Sequence, residues 1–191
     1  MKKILLALMI FTAASVSVFA FDFLSYPSSV KGRNFFIDFG IGYTGWGSYS
    51  GWKMTSPPII VTFDYCLPIK APISVGGMLV VSKHAWNVDS LNKAAFSYLT
   101  FAVRGNWHWG IDIKWFDLYT GLSLGLQNFS QKWEGPAAGY WEDYYDYHYG
   151  GFYWGSQIGA HFLFTDAIGV CLEFGYPIYA KVALTLRFGD S

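Results

Sequence analysis

From residue 34 onward the chain alternates apolar and polar positions with a period of two. Eight segments carry the pattern. Residues 34–44 place Phe35, Ile37, Phe39, Ile41 and Tyr43 opposite Asn34, Asp38, Gly40 and Gly42. Residues 59–67 set Ile59, Val61, Phe63 and Tyr65 against Thr62, Asp64 and Cys66. The same division runs through 73–82, 97–109, 118–128, 152–164, 167–176 and 179–188. In 97–109, for example, Leu99, Phe101, Val103 and Trp107 oppose Thr100, Arg104, Asn106 and His108. Successive strand residues point to opposite faces, so the pattern predicts eight β-strands with one apolar and one polar face.

Two architectures use such strands. A soluble sandwich or lipocalin-type barrel turns the apolar face inward. A membrane barrel turns it outward, to lipid. The polar face separates the two. A face that meets water should be rich in Lys, Glu and Asp, whereas here it is mostly Gly, Ser, Thr and Asn. Small polar residues suit a narrow lumen that side chains must fill. A tilted membrane strand needs about 9–11 residues, close to the length of these segments. The expectation is an all-β, eight-stranded antiparallel up-and-down transmembrane β-barrel.

Aromatic placement points the same way. Tyr43, Tyr65, Trp107, Trp109, Trp115, Trp154 and Tyr176 lie at or beside segment ends. There, amphipathic rings match the bilayer interfaces. The joins alternate in length: 45–58, 83–96 and 129–151 are long, while 68–72, 110–117 and 165–166 are shorter. The last outer join, 176–178, is short and breaks the alternation. Outer-membrane barrels have long outer loops and short periplasmic turns. Both termini are therefore expected in the periplasm.

Composition sharpens this reading. The 191 residues are 53% hydrophobic and 21% aromatic but only 14% charged, well below the roughly 25% of soluble domains. Thirteen basic against thirteen acidic residues exclude nucleic-acid binding by bulk charge. Lys2 and Lys3 precede an apolar run, and Val18 and Ala20 supply the small residues of a cleavage site, the pattern of a secretory signal peptide. The expected organisation is a signal peptide over 1–20, a periplasmic segment over 21–32, a barrel over 33–188 and a tail over 189–191. After Ala20 no apolar stretch reaches the about 20 residues of a spanning helix.

Near the C-terminus, Gly159-Ala160-His161-Phe162-Leu163-Phe164-Thr165-Asp166 is followed by Leu172-Glu173-Phe174-Gly175-Tyr176 and a strand ending Leu186-Arg187-Phe188. This stretch resembles the C-terminal half of small OmpA-like outer-membrane β-barrel proteins. His161 stands where their pattern has Arg, and Gly189, Asp190 and Ser191 follow the final aromatic. The resemblance implies an eight-stranded barrel in a bacterial outer membrane; a peptidoglycan-binding domain after it is not expected. It also implies the outer-membrane assembly machinery as a partner.

With apolar faces outward, Asp38, Asp64 and Glu173 point inward with Arg104, Lys181 and Arg187. Unpaired charges in a narrow lumen are costly, so this balanced set is expected to form a charge network that plugs the interior. The three-residue join 176–178 places Glu173 opposite Lys181. Cys66 and Cys171 face inward three strand steps apart, too far for a disulfide, and are read as lumen-filling thiols.

The third outer loop holds Tyr140, Trp141, Tyr144, Tyr145, Tyr147 and Tyr149, with Glu142, Asp143, Asp146 and His148. Tyr and Trp give large contact area at low entropic cost, so this loop is the candidate binding surface. The other reading is a loop folded over the barrel mouth against lipid or lipopolysaccharide-like glycolipid. Its acids match no complete calcium loop, and no metal or other cofactor is expected. For an enzyme, His84 and His148 are read in outer loops, with Ser82 and Ser90 near His84, and His108 and His161 inward. Proximity of Ser and His in sequence is weak, because triads assemble in space. The expected role is non-catalytic: a monomeric structural or adhesin-like surface barrel. The alternatives are a narrow channel or hydrophobic conduit, or a lipid A-modifying enzyme.

Overall fold

The structure, a computed structural model, describes residues 21–22, 25–27, 29–45, 52–87, 90–136, 138–139 and 148–189. A two-residue strand β1 (Phe21–Asp22) precedes β2 (Phe35–Thr44), β3 (Trp52–Cys66), β4 (Ile73–Asn87) and β5 (Lys93–Ile111). Then come β6 (Phe116–Glu134), β7 (His148–Leu163), β8 (Ile168–Tyr176) and β9 (Ile178–Phe188). From β2 to β9 each strand pairs antiparallel with its successor. The ring closes where β2 pairs β9, from Phe35↔Phe188 to Thr44↔Ile178. The result is an eight-stranded up-and-down barrel. β1 adds only a short pairing to the end of β5, Phe21↔Ile111 and Asp22↔Gly110.

The burial pattern is inverted relative to a water-soluble protein. Val103, Leu122, Leu126 and Phe152 are 68%, 65%, 69% and 70% exposed, while Thr62 and Thr100 are 0% and Lys181 1% exposed. In water such an arrangement would expose apolar surface and bury charge, both unfavourable. Against hydrocarbon it is the stable one. The outward apolar and inward polar faces are the two faces of the alternation.

The strands outrun a membrane crossing. β5 and β6 have 19 residues each, β7 has 16, and β3 and β4 have 15. The extra residues lie at the long-connection end, where Lys93 pairs Glu134, Ser97 pairs Ser130 and Trp52 pairs Trp86. Parts of the expected joins 45–58, 83–96 and 129–151 are therefore ladder. The reason is visible in β5. Its even positions face inward throughout, but Arg104, Asn106 and His108 give way to Tyr98, Phe96 and Ala94. Its odd positions change from Val103, Phe101 and Leu99 to Ser97, Ala95 and Lys93. Ala94 and Phe96 are buried with Trp133, and Tyr98 and Phe129 pack on them. Beyond the bilayer the outer face meets water, so the ordinary sense returns: apolar inside, polar outside. The alternation continues while its polarity reverses.

At the other end Asp117 belongs to β6, not to the turn, and its side chain is fully buried. Inside, Gly159 leaves room for Tyr119. A Cβ at Gly159 would lie 2.4 Å from the Tyr119 ring, so this glycine is required for the close approach.

Val103→Arg places a charge in the middle of the lipid-facing run of β5. It is expected to cost about 2–4 kcal/mol of folding stability in lipid vesicles, measured by equilibrium urea unfolding. Lys132→Ala, beyond that run, should stay within about 0.5 kcal/mol. Equal stabilities for the two variants would place the outward face in water.

Candidate functional site in the barrel interior

Inward positions of all eight barrel strands meet in one polar network, β4 through Ser74. Asp38 on β2 accepts hydrogen bonds from Thr62 Oγ1 at 2.9 Å, Thr185 Oγ1 at 2.8 Å and Lys181 Nζ at 3.2 Å. Glu173 on β8 accepts from Arg104 Nη2 at 2.7 Å, Tyr119 Oη at 2.6 Å and Lys181 Nζ at 3.1 Å. Lys181 thus bridges two carboxylates, and β8–β9 register sets Glu173 directly opposite it. Arg104 also reaches Asp64, with Nε 3.3 Å from Oδ1, and its guanidinium lies 5.7 Å from the Tyr119 ring centre. Asp64 accepts from Asn106 Nδ2 at 2.9 Å. Asn106 accepts from Gln157 Nε2 at 2.9 Å, which extends the network to β7.

Asp117 forms a second centre. Nδ1 of His108 and Nδ1 of His161 each lie 2.9 Å from its carboxylate. Both rings must carry a proton on Nδ1 to donate there. His108 Nε2 is 3.0 Å from Ser74 Oγ. His161 stacks on Phe36 at 4.7 Å and turns Nε2 towards Asp38 Oδ1 at 3.5 Å. The interior therefore holds Asp38, Asp64, Asp117 and Glu173 against Arg104 and Lys181, with two histidines at the acid-rich side. The network is buried, so each of these ions depends on its partners.

Apolar layers close it at both ends. One step further along the strands towards the long connections, Ile60, Met78, Val80, Ala102, Tyr153 and Ile178 form a buried cluster. Towards the short turns, Phe36, Cys66 and Leu163 pack with Val30 and Tyr26 of the segment before β2. Tyr26 Oη lies 2.9 Å from the Leu67 carbonyl and 2.6 Å from that of Ile73, and burial pushes its hydroxyl above its ordinary pKa. Arg187 faces inward but turns to this mouth. Its Nε donates to the Asp166 carbonyl at 2.6 Å, and Nη1 donates to the carbonyl of Ser29. Ser29 Oγ donates to the Phe116 carbonyl at 2.6 Å.

Of the six lumen charges expected from sequence, five meet in the network and Arg187 serves the mouth. Asp117 and Tyr119 were missed, although their odd numbering shares the parity of Gly121 and Ser123. His84 is not in a loop. It lies inward on β4, buried, with Nε2 2.7 Å from Ser82 Oγ and its ring edge-on to Tyr98 at 5.7 Å. Among the described residues no carboxylate bonds to this pair, so it lacks the third member of a triad. Cys66 and Cys171 are free and buried. Asp38, His161 and Cys171 bring possible metal-ligand atoms within 4.8 Å of one another. Asp38 is already held by Lys181, whose ammonium would oppose a cation there. Tyr140, Trp141, Tyr144, Tyr145 and Tyr147 lie outside the described residues. Tyr149 is in β7, its backbone opposite Phe129.

Glu173→Gln leaves Arg104 and Lys181 short of an anion and is expected to cost about 3–5 kcal/mol in urea unfolding from lipid. Adding Lys181→Met should recover part of the loss. Strictly additive losses would mean that the two residues are not coupled.

No protein-family model matches the sequence, and no curated protein matches it. Solved structures do share the architecture. Ail, the attachment invasion locus protein of Yersinia pestis, superposes with a TM-score of 0.53 at 12% identity, over 83% of this chain and 100% of its own. The outer membrane protein OprG from Pseudomonas aeruginosa gives 0.52 at 11% identity, over 86% of this chain and 100% of its own. At such identities the likeness speaks of the fold. With the closed ring and the inverted burial, this chain shares the fold of small eight-stranded outer-membrane β-barrels.

Proposed function

We propose that this chain is a non-catalytic bacterial outer-membrane barrel that acts through its outer end, as a structural or surface-interaction protein, and not through a pore. The observation that carries the reading is the filled lumen. Ion pairs joining Asp38, Asp64, Arg104, Glu173 and Lys181 occupy the cross-section, with apolar clusters on either side. An eight-stranded barrel leaves little room beyond its own side chains. In this reading residues 1–20 are a signal peptide, both termini are periplasmic, and the long connections are extracellular. Tyr26, Ser29 and Val30 of the segment before β2 then fill the periplasmic mouth.

The strands that rise beyond the lipid-facing band support an outer role. β6 and β7 flank the third long connection, and in this reading its Tyr140, Trp141, Tyr144, Tyr145, Tyr147 and Tyr149 offer the contact surface. The name of Ail, a barrel of the same fold, refers to attachment. The partners of this reading are outer-membrane lipid, lipopolysaccharide-like glycolipid and a ligand on another surface.

Planar-bilayer recordings of the purified barrel should show no steady conductance. A reproducible open level would make it a channel. Replacing the six aromatics of residues 140–149 by Ser should abolish adherence of expressing cells to a host-cell monolayer while the barrel stays folded. Unchanged adherence would remove the third connection from the binding role.

A further inference from the structure

Just beyond the lipid-facing band, the outer face of β4–β6 is basic and recessed. The last apolar row pairs Val81 with Leu99. The next outward row pairs Lys83 with Ser97, and Ser97 with Ser130. One row further, Ala95 pairs with Lys132. These small side chains floor a cavity of about 370 Å³ whose rim includes Thr55, Lys83, Lys93, Lys132 and one acid, Glu134.

The polar groups are arranged for an anion. Ser97 Oγ and Ser130 Oγ are 2.7 Å apart, so one donates to the other and the acceptor directs its own proton elsewhere. Thr55 Oγ1 donates to the Lys83 carbonyl at 3.1 Å and ties β3 to the rim. Lys93 is matched by Glu134 at 3.5 Å. Lys83 and Lys132 have no such partner among the described ion pairs. They flank the floor two strands apart, with Cα atoms separated by about 12 Å from strand spacing and rise. Two lysine stems can close that distance on one anionic group.

We propose that this recess seats a phosphate of an outer-leaflet glycolipid headgroup, with Lys83 and Lys132 as its counter-charges. Height selects this ligand. The recess begins one row beyond Val81 and Leu99, where hydrocarbon gives way to headgroups. Beneath it lies the row of Val81, Leu99 and Asn128, and one row lower the outward wall is apolar throughout, with Leu79, Phe101 and Leu126. A phosphorylated glycolipid uses both surfaces, its phosphate in the recess and its acyl chains on the wall. A soluble sulfated saccharide would use only the recess. The inference rests on the reading that the long-connection end faces outward. Labelling of Asn87→Cys in intact cells by a membrane-impermeant maleimide tests that orientation by itself.

The binding test uses the full chain in detergent micelles, titrated with bisphosphorylated lipid A and followed by native mass spectrometry. Lys83→Ala with Lys132→Ala should weaken retention of the lipid about 30-fold, the effect of two lysines near an anionic surface. Lys83→Arg with Lys132→Arg should retain binding. Lys70→Ala with Lys114→Ala, on exposed turns at the opposite end, should leave it unchanged. Lipid A stripped of its phosphates should bind the wild-type chain as weakly as the intact lipid binds the double alanine variant. Equal binding of both lipids, or of wild type and the double alanine variant, overturns the proposal. So does full competition by a soluble heparin oligosaccharide with the same lysine dependence, which would make the recess a sulfated-glycan site.

Discussion

Ring closure is the constraint on which the rest depends. A backbone N–H or C=O left unpaired in hydrocarbon costs several kcal/mol, so a sheet can cross lipid only without edges. Pairing of β2 with β9, along nearly the whole of both strands, removes the edges. Once the ring is closed, each strand has one face towards lipid and one towards a narrow interior. Everything polar on the inner face must then find its partner inside.

That requirement accounts for the interior. Eight strands enclose a lumen narrow enough for side chains to reach across it. Lys181 on β9 touches Asp38 on the adjoining β2 and Glu173 on the adjoining β8. Arg104 on β5 reaches Glu173 across the ring. Tyr119 supplies a further donor to Glu173 because Gly159 stands aside for its ring. Removing any one ion leaves its partners charged in a dry site, so the network stands or falls together. The apolar clusters above and below keep it dry, and the segment before β2 seals one mouth.

The same strands show where the membrane ends. On β5 the inward residues pass from Arg104 and Thr100 to Phe96 and Ala94, and the outward ones from Val103 and Leu99 to Ser97 and Lys93. The reversal follows from a change of outer solvent with no change in backbone geometry. Tall β3–β7 beside the short β8, β9 and β2 give the long-connection rim a high and a low side. The basic recess lies on the high side, at the line where the polarity turns over.

Much of this was legible before any coordinates. Alternation is a local property of the extended backbone, so eight strands and their two faces follow from period two alone. The scarcity of charge on the polar face made it a lumen. A three-residue join fixes hairpin register, which sets Glu173 opposite Lys181. The continuation of β4–β6 beyond the membrane was hidden, because apolar and polar positions exchange roles there and the segments look like loops. Asp117 was hidden beside a turn, and its two histidines come from β5 and β7. The sequence by itself determined strands, faces and the inverted sense, since each depends only on neighbours along the chain. Which charge meets which across the lumen was decided only by the tertiary structure, because that depends on the stagger of eight strands and on where the ring closes.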